Sequence, residues 1–563
     1  MNGGELLCRT LEALGASHVF ALPGSQNVPL FEALRQSRLR TIVPTHELAA
    51  SFMAAGYSRA SGRVGILATI PGPGFTYALT GLAEARLDSV PLVYLVGQPA
   101  RGPGQRFQLQ HIDQAAIAGP LVKRIIPVEQ ARALPAAVAE AYELARAGEP
   151  GPVMVHIAPG AAHEDAPWPG DIAPAAPPVL QPGAVETVLP LLANARRVLL
   201  LAGQGTVGAP DALRAVAERL AAPVVATTSA RGVLPEDHPL ALGFDLRATD
   251  ALNALAAESD LVVALGVKFS HNGAAGFRLR LPADRLLHVD ASPEVLGANY
   301  PARTTLVADV PALLRALVSR LPQDGAGTRG WSDTALAEVR ARIAAAPLGL
   351  EPQVHGLATG TPAELLRLLR EALPRDACVV TDSGLHQMLV RRHFPVLAPR
   401  GLIVPTNFQS MGFALAAAIG AKLAAPERTV VAVIGDGGLA MCGLELVTAV
   451  RERVALPVVL FSDGKYGLIR LDQVRDHGAT YGTDLPPLDP SALAAATGAG
   501  YRALEGDAAA VLRAALAEPG PTIVDVNLSE SGAMRRVRAK SVARAAGRRV
   551  LPKTLVDWLR RRR

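Results

Sequence analysis

Cysteine is scarce: Cys8, Cys378 and Cys442 are the only three in 563 residues, far apart and without a CxxC pair. That excludes a disulfide framework and a cysteine zinc site, and leaves ordinary buried thiols. Aromatic residues are 4% of the chain and stud no basic face, so single-stranded nucleic acid finds no stacking platform. No apolar run approaches the roughly 18 residues of a membrane span, and MNGGELLCRT has neither the basic nor the apolar region of a secretory leader. These absences predict a cytoplasmic globular protein with no membrane and no nucleic-acid partner. The net charge of +6 is local, because the segment from Arg535 onward holds twelve Lys or Arg against the single acid Asp557.

What is present is a length too great for one hydrophobic core. Two irregular stretches, HIAPGAAHEDAPWPGDIAPAAPPVLQPG at 156–183 and LPQDGAGTRGWSD at 321–333, read as seams. They divide the chain into units at 1–160, 184–322 and 358–530, followed by a basic tail at 531–563. Each unit alternates aliphatic runs with amphipathic helical patterns: SHVFAL, VGILATI and VPLVYLVG in the first, RRVLLLAG, APVVATT, LVVALGV and RLLHVDA in the second, ACVVTD, TVVAVIGD, LPVVLFSD and PTIVDVN in the third. The expected fold is α/β, three doubly wound domains with parallel sheets. The second unit has a literal GxGxxG, GQGTVG at 203–208, but the next strand ends ATTSARG without the acid a nicotinamide dinucleotide site needs.

The third unit carries the chemistry. VVAVIGDGG runs from a buried-looking strand into Gly435-Asp436-Gly437, and Gly437 and Gly438 then open a helix whose free N–H groups favour phosphate. Twenty-seven residues later, one helix plus one strand, Asp463 ends LPVVLFSD, so both acids emerge at the same edge of neighbouring parallel strands. Two hard oxygen donors beside a phosphate site suit Mg²⁺, with the backbone carbonyl of Lys465 as a third ligand. This spacing resembles the thiamine diphosphate motif. That cofactor needs a carboxylate from a different domain to activate its aminopyrimidine ring, and Glu47 in THELAASFMAAGYSRASGRVG follows a predicted strand at the start of a helix.

Over nearly its whole length the chain resembles the acetolactate synthase branch of thiamine-diphosphate enzymes. The similarity runs through the Glu47 segment, its continuation GPGFTYALTGLAEARLDSVPLVYLVGQ, TDSGLHQM at 381–388 and NFQSMGFALAAAIGAK. The resemblance implies domains in the order pyrimidine-binding, central and diphosphate-binding. It makes Glu47 the ring activator and Met411 the wedge that bends the cofactor. Gly72, His386, Gly435, Gly437, Gly438 and Tyr466 would contact the cofactor, and Asp436, Asp463 and Lys465 would hold the metal. Gln110 would lie near the reacting carbon, and Ser25 and Gln26 would face the substrate. It further implies decarboxylation of a small-molecule 2-oxo acid donor, with transfer to a carbonyl acceptor or release of an aldehyde, in a homodimer or homotetramer whose sites lie between subunits. Two departures stand out: Ser462-Asp463 replaces the usual Asn-Asn, and Lys268-Phe269-Ser270-His271-Asn272 replaces an RFDDR-like segment whose last Arg faces the acceptor. That same segment contacts FAD in acetolactate synthases, so the resemblance leaves FAD undecided here.

Overall fold

The structure, a computed structural model, describes residues 1–99, 106–176, 178–243, 248–322, 330–345 and 351–530, with 535, 536, 539, 540 and 543. Three sheets follow one another along the chain. The first contains β1 (His18–Ala21), β2 (Arg40–Ile42), β3 (Gly65–Thr69), β4 (Leu92–Gly97), β5 (Arg124–Val128) and β6 (Pro152–Ile157) in the order β2-β1-β3-β4-β6-β5. The second contains β7 (Val198–Ala202), β8 (Val224–Ala226), β9 (Ala241–Leu242), β10 (Leu261–Leu265), β11 (Leu286–Asp290) and β12 (Thr304–Val307) in the order β12-β11-β10-β7-β8-β9. The third is built from β13 (Gln353–Val354), β14 (Cys378–Thr381), β15 (Leu402–Ile403), β16 (Val430–Gly435), β17 (Leu456–Ser462), β18 (Gly500–Ala503) and β19 (Pro521–Ser529).

Every pairing between these named strands is parallel except β13 on β19. The continuous aliphatic runs explain this, since strands covered by helices on both faces have no polar face to alternate with. All of β3 and β7 and the first five residues of β16 are buried. The three cysteines are buried and free. Among the described residues no helix is long and apolar enough to cross a membrane.

Two elements lie past the seams read from composition. Helix Asp333–Ala345 follows the second seam, yet Trp331, Leu336 and Ile343 pack into the core of the second sheet. The short β13 joins the third sheet before residue 358 by pairing Gln353 with Ser529. Of the basic residues after β19, Arg535, Arg536 and Lys540 are exposed in helical turns, and Arg538 lies outside the described residues.

The first and third sheets share a topology: β15-β14-β16-β17-β19-β18 repeats β2-β1-β3-β4-β6-β5. Their second crossover helices, Glu47–Ser61 and Phe413–Ala424, pack face to face in one continuous core. The contact is almost backbone on backbone. A Cβ on Gly56 would lie 2.0 Å from the Ala417 carbonyl oxygen, and one on Gly420 would lie 2.0 Å from that of Met53. The pairs 56 with 417 and 53 with 420 run in opposite chain directions, so the two helices are related by an approximate twofold axis through this crossing.

Alanine is intrinsically favoured over glycine inside a helix by roughly 1 kcal/mol, so any loss from Gly56→Ala reports the crossing itself. We expect that variant to lower the apparent melting temperature by roughly 5 °C or more, while Gly160→Ala, in open space, leaves it unchanged. Equal melting curves for all three proteins would mean the helices are not held this closely.

Candidate active site

At the C-terminal edge of the third sheet, β16 ends at Gly435 and Asp436 opens a short helix. The turn after β17 folds over it. Asp436 Oδ2 accepts the N–H groups of Asp463 and Gly464, both at 2.7 Å, and Oδ1 accepts the Ser462 hydroxyl at 3.1 Å. Asp463 Oδ1 accepts the Lys465 N–H at 3.0 Å. Gly437 must lack a side chain because a Cβ there would meet the Tyr466 ring at 2.6 Å and Met411 Cε at 2.7 Å. His386 is clasped between Gly384 and Gly435, and Gly438 lies against Asp382. Together Met411, His386, Gly435, Asp436, Gly437, Gly438, Asp463, Lys465 and Tyr466 line one cleft of about 110 Å³.

The remaining predicted residues meet at the matching edge of the first sheet. Glu47 starts its helix after His46, whose Nδ1 accepts the Leu48 N–H at 3.1 Å. A Cβ on Gly74 would lie 3.1 Å from Glu47 Oε1. Gly72, at φ 65°, is pressed against Gln110, which has φ 58°. Gln110 Oε1 accepts Gln26 Nε2–H at 2.5 Å, and Gln26 Oε1 accepts the Ser25 hydroxyl at 3.0 Å. The structure thus brings the predicted residues into two clusters and does not bring the clusters together. Glu47 and Met411 lie at opposite ends of the helix crossing, on the order of 15–20 Å apart at 1.5 Å rise per residue.

Four functional-looking acids were not anticipated. Asp382 Oδ1 lies 2.6 Å from His386 Nε2, and its Oδ2 accepts the Gly412 N–H at 2.8 Å. The i, i+4 spacing of Asp and His in TDSGLHQM was the available signal. Glu445 in the third unit accepts the Thr45 N–H at 3.0 Å and the Thr45 hydroxyl at 2.5 Å, two residues before Glu47. Glu84 and Asp88 in the first unit bind the loop before Met411. An acid inside an apolar helical run, as in GLELVTAV and GLAEARLD, was the only hint.

Two sequence features make close contacts within and between the units. The GxGxxG glycines Gly203 and Gly205 press on Gly266, where a Cβ at Gly203 would lie 1.9 Å from the Gly266 oxygen. Asn272, at the position of the family's acceptor-facing Arg, donates its Nδ2–H to the Thr406 carbonyl at 2.5 Å.

Comparison with known proteins matches this architecture three times. The profile "Thiamine pyrophosphate enzyme, N-terminal TPP binding domain" covers residues 1–117, the central domain of the same enzymes covers 185–317, and the C-terminal TPP binding domain covers 382–526. The acetolactate synthase large subunit of Lactococcus lactis is 32% identical over 478 residues, 83% of this chain and 82% of that protein. The chain belongs to the acetolactate synthase-like thiamine pyrophosphate enzymes. The isozyme 1 large subunit of Escherichia coli acetolactate synthase is 29% identical over 94% of both chains. A probable 2-ketoarginine decarboxylase of Pseudomonas aeruginosa is 33% identical over 87% of this chain and 85% of its own.

In this thiamine pyrophosphate enzyme the pair Asp436 and Asp463 is electrostatically unfavourable by itself. Among the described residues no three His, Cys, Asp or Glu side chains converge as a metal site, so a cation here needs backbone and ligand oxygens as well. Burial first, and then the neighbouring Asp436 charge, push the Asp463 carboxyl from 3.8 to about 6. A raised carboxyl contributes stability that is whole below about pH 4 and is lost as the pH rises through 6. Asp463→Asn escapes that loss. In thermal melts recorded with chelator, the variant should be more stable than the parent at pH 8 by on the order of 2 kcal/mol and by only about half as much at pH 5, midway through the titration; an equal gain at both would assign the effect to packing.

Proposed function

We propose that this chain is a thiamine-diphosphate-dependent enzyme that decarboxylates a 2-oxo acid and transfers the resulting acyl-anion equivalent to an acceptor carbonyl. The observation that carries the reading is the gathering of Glu47 with Gln110 on one sheet edge, and of Asp436 with Asp463 on the like edge of another, in a chain related to acetolactate synthases. When bound, the cofactor would supply a nucleophilic carbon toward a keto group and, in its cationic thiazolium ring, a sink for the electrons freed as CO₂ leaves.

The chain's own residues fit that cofactor and its metal. The half-buried carboxylate pair would be relieved by a divalent cation, for which Mg²⁺ with the Lys465 carbonyl and diphosphate oxygens would complete a hard-oxygen set. Gly437 and Gly438 leave the backbone bare for the diphosphate, beside His386, Gly435 and Tyr466. Met411, whose Cε like the Tyr466 ring closes on Gly437, would be the wedge that bends the cofactor. Glu47 would hold a proton-sharing hydrogen bond to the pyrimidine ring, and Gln110, Gln26 and Ser25 would orient donor and acceptor above it. The reaction is redox-neutral, so a flavin would carry no electrons in it and FAD, if bound, would serve only structure; the visible spectrum of the purified protein decides whether it is present.

Since Glu47 and Met411 of one chain diverge from the helix crossing, the working site pairs Glu47 of one subunit with the Asp436 cleft of another, in a dimer or tetramer. Glu47→Gln and Asp436→Ala should each abolish turnover. Mixed and re-equilibrated, the two inactive proteins should recover about a quarter of wild-type activity, because half the dimers are hybrid and each holds one intact site. No recovery despite confirmed subunit exchange would place the whole site within one chain.

A second reading has support of its own. The Asn272 amide is committed to Thr406 and lacks the bidentate charge of an Arg fork, so a carboxylate-bearing acceptor loses a contact worth roughly 1.5–3 kcal/mol. A simple decarboxylase that releases an aldehyde, as the name of the Pseudomonas aeruginosa relative describes, is therefore the alternative. Purified protein with thiamine diphosphate, Mg²⁺ and pooled 2-oxo acids, with and without aldehydes, should yield carbon–carbon bonded products detectable by mass spectrometry. Aldehyde as the sole product would select the alternative, and efficient acetolactate formation from pyruvate alone would restore a carboxylate acceptor.

A further inference from the structure

The segment Thr406–Met411 joins β15 to helix Phe413–Ala424 and is held from both other units. From the first unit, Glu84 Oε2 accepts the Ser410 hydroxyl at 2.7 Å and the Ser410 N–H at 3.1 Å. Asp88 Oδ2 accepts the Thr406 N–H at 2.7 Å, and its Oδ1 accepts the Asn407 N–H at 2.9 Å. Asp88 also pairs with Arg59 at 3.0 Å. From the second unit, Asn272 donates to the Thr406 carbonyl, and Ser229 Oγ lies 3.2 Å from Thr406 Oγ1. Inside the segment, Gln409 sits at φ 64° and donates its Nε2–H to the same carbonyl at 2.7 Å.

Glu84 and Asp88 are 1% and 3% exposed, so these bonds are shielded from water at a place where three units meet. A left-handed Gln409 costs conformational energy that free chain would release. The segment's shape is therefore imposed by its surroundings, and the residue it delivers, directly after Ser410, is Met411. Met411 Cε lies 2.7 Å from where a Cβ on Gly437 would be.

We propose that Asn272 and Glu84, with Asp88, are positioning residues that set Met411 in the cofactor cleft from the second and first units. This rests on the thiamine-diphosphate reading above. It gives Asn272 a role different from that of the acceptor-facing Arg it replaces: it holds the wedge and does not touch the acceptor. The orientation of the second unit is thereby linked to the cleft of the third, although among the described residues the second unit contributes none to that cleft.

The experiment measures exchange of the cofactor C2 proton in full-length protein loaded with thiamine diphosphate and Mg²⁺, alongside cofactor affinity, KM for the donor, and melting temperature. Asn272→Ala changes a half-buried side chain and should fold. Burial and the neighbouring Asp88 charge push the Glu84 carboxyl above its usual range, so Glu84→Gln is a mild second variant. Each should slow exchange and kcat at least fivefold, with cofactor affinity and KM within threefold of wild type. In a Met411→Ala background the same substitutions should add nothing, since the wedge they position is gone.

Wild-type exchange in folded Asn272→Ala would overturn the proposal. So would effects that add fully to that of Met411→Ala, because they would then act by a route other than Met411. Should Glu84→Gln fail to fold, Asn272→Ala and the double variant still decide. Failure of the underlying reading looks different: wild type would bind no cofactor, or Glu47→Gln would exchange the C2 proton as fast as wild type.

Discussion

Two glycines, Gly56 and Gly420, let the helices Glu47–Ser61 and Phe413–Ala424 touch backbone to backbone, and the rest of the molecule is arranged around that contact. Interiors are close-packed, so a pair of methyl groups at the crossing would push the sheets behind these helices apart. Both helices are apolar on nearly every side: eleven of fifteen and ten of twelve residues are buried. Neither has a solvent face to offer, so each must be covered by its own sheet and by the other helix. The result is one core shared by the first and third units.

The approximate twofold at this crossing explains where the chemistry sits. Glu47 and Met411 both stand ahead of the crossing on their own helices, in two units of like topology, and therefore face away from one another. What joins the units at these remote ends is polar. Glu445 reaches Thr45 and Glu84 reaches Ser410, a reciprocal exchange of buried carboxylates between the two units. Buried acids are costly unless hydrogen-bonded, and hydrogen bonds to specific N–H groups have direction where apolar packing has none. A shared apolar core fixes how closely the units approach, and the carboxylates fix the register of the loops that leave it.

The Asp436 turn follows a different logic. Asp436 spends both oxygens on the turn after β17, so the strand ends are locked together before any ligand arrives. Asp463 is brought close as a consequence and sits in an environment that disfavours its charge. Asn at that position would relieve the penalty and would also weaken the attraction for a cation. This chain keeps the acid, which ties the stability of the turn to the charge placed beside it.

The aliphatic runs, the 27-residue spacing from Asp436 to Asp463, and the glycines after β16 by themselves determined the three parallel sheets and the Asp436–Asp463 end of the cleft in the third, because strand burial and strand-end position are local consequences of pattern; Met411, His386 and Tyr466 came only from the family resemblance. THELAASF marked Glu47 by its place between a strand and a helix. Asp382 was within reach through its spacing to His386. The polar stretch at 321–333 does not end the packing of the second unit, since Trp331, Leu336 and Ile343 act on a core that local polarity does not reveal. Asn272 could be seen as a missing Arg, but its engagement with Thr406 joins positions 134 residues apart. Glu84 and Glu445 read as stray acids in apolar helices, and only tertiary structure, by bringing each within hydrogen-bond reach of a loop more than 300 residues distant, decided that they were partners. A hydrogen bond depends on separation in space and on desolvation, and neither is written in the periodicity of one strand or one helix.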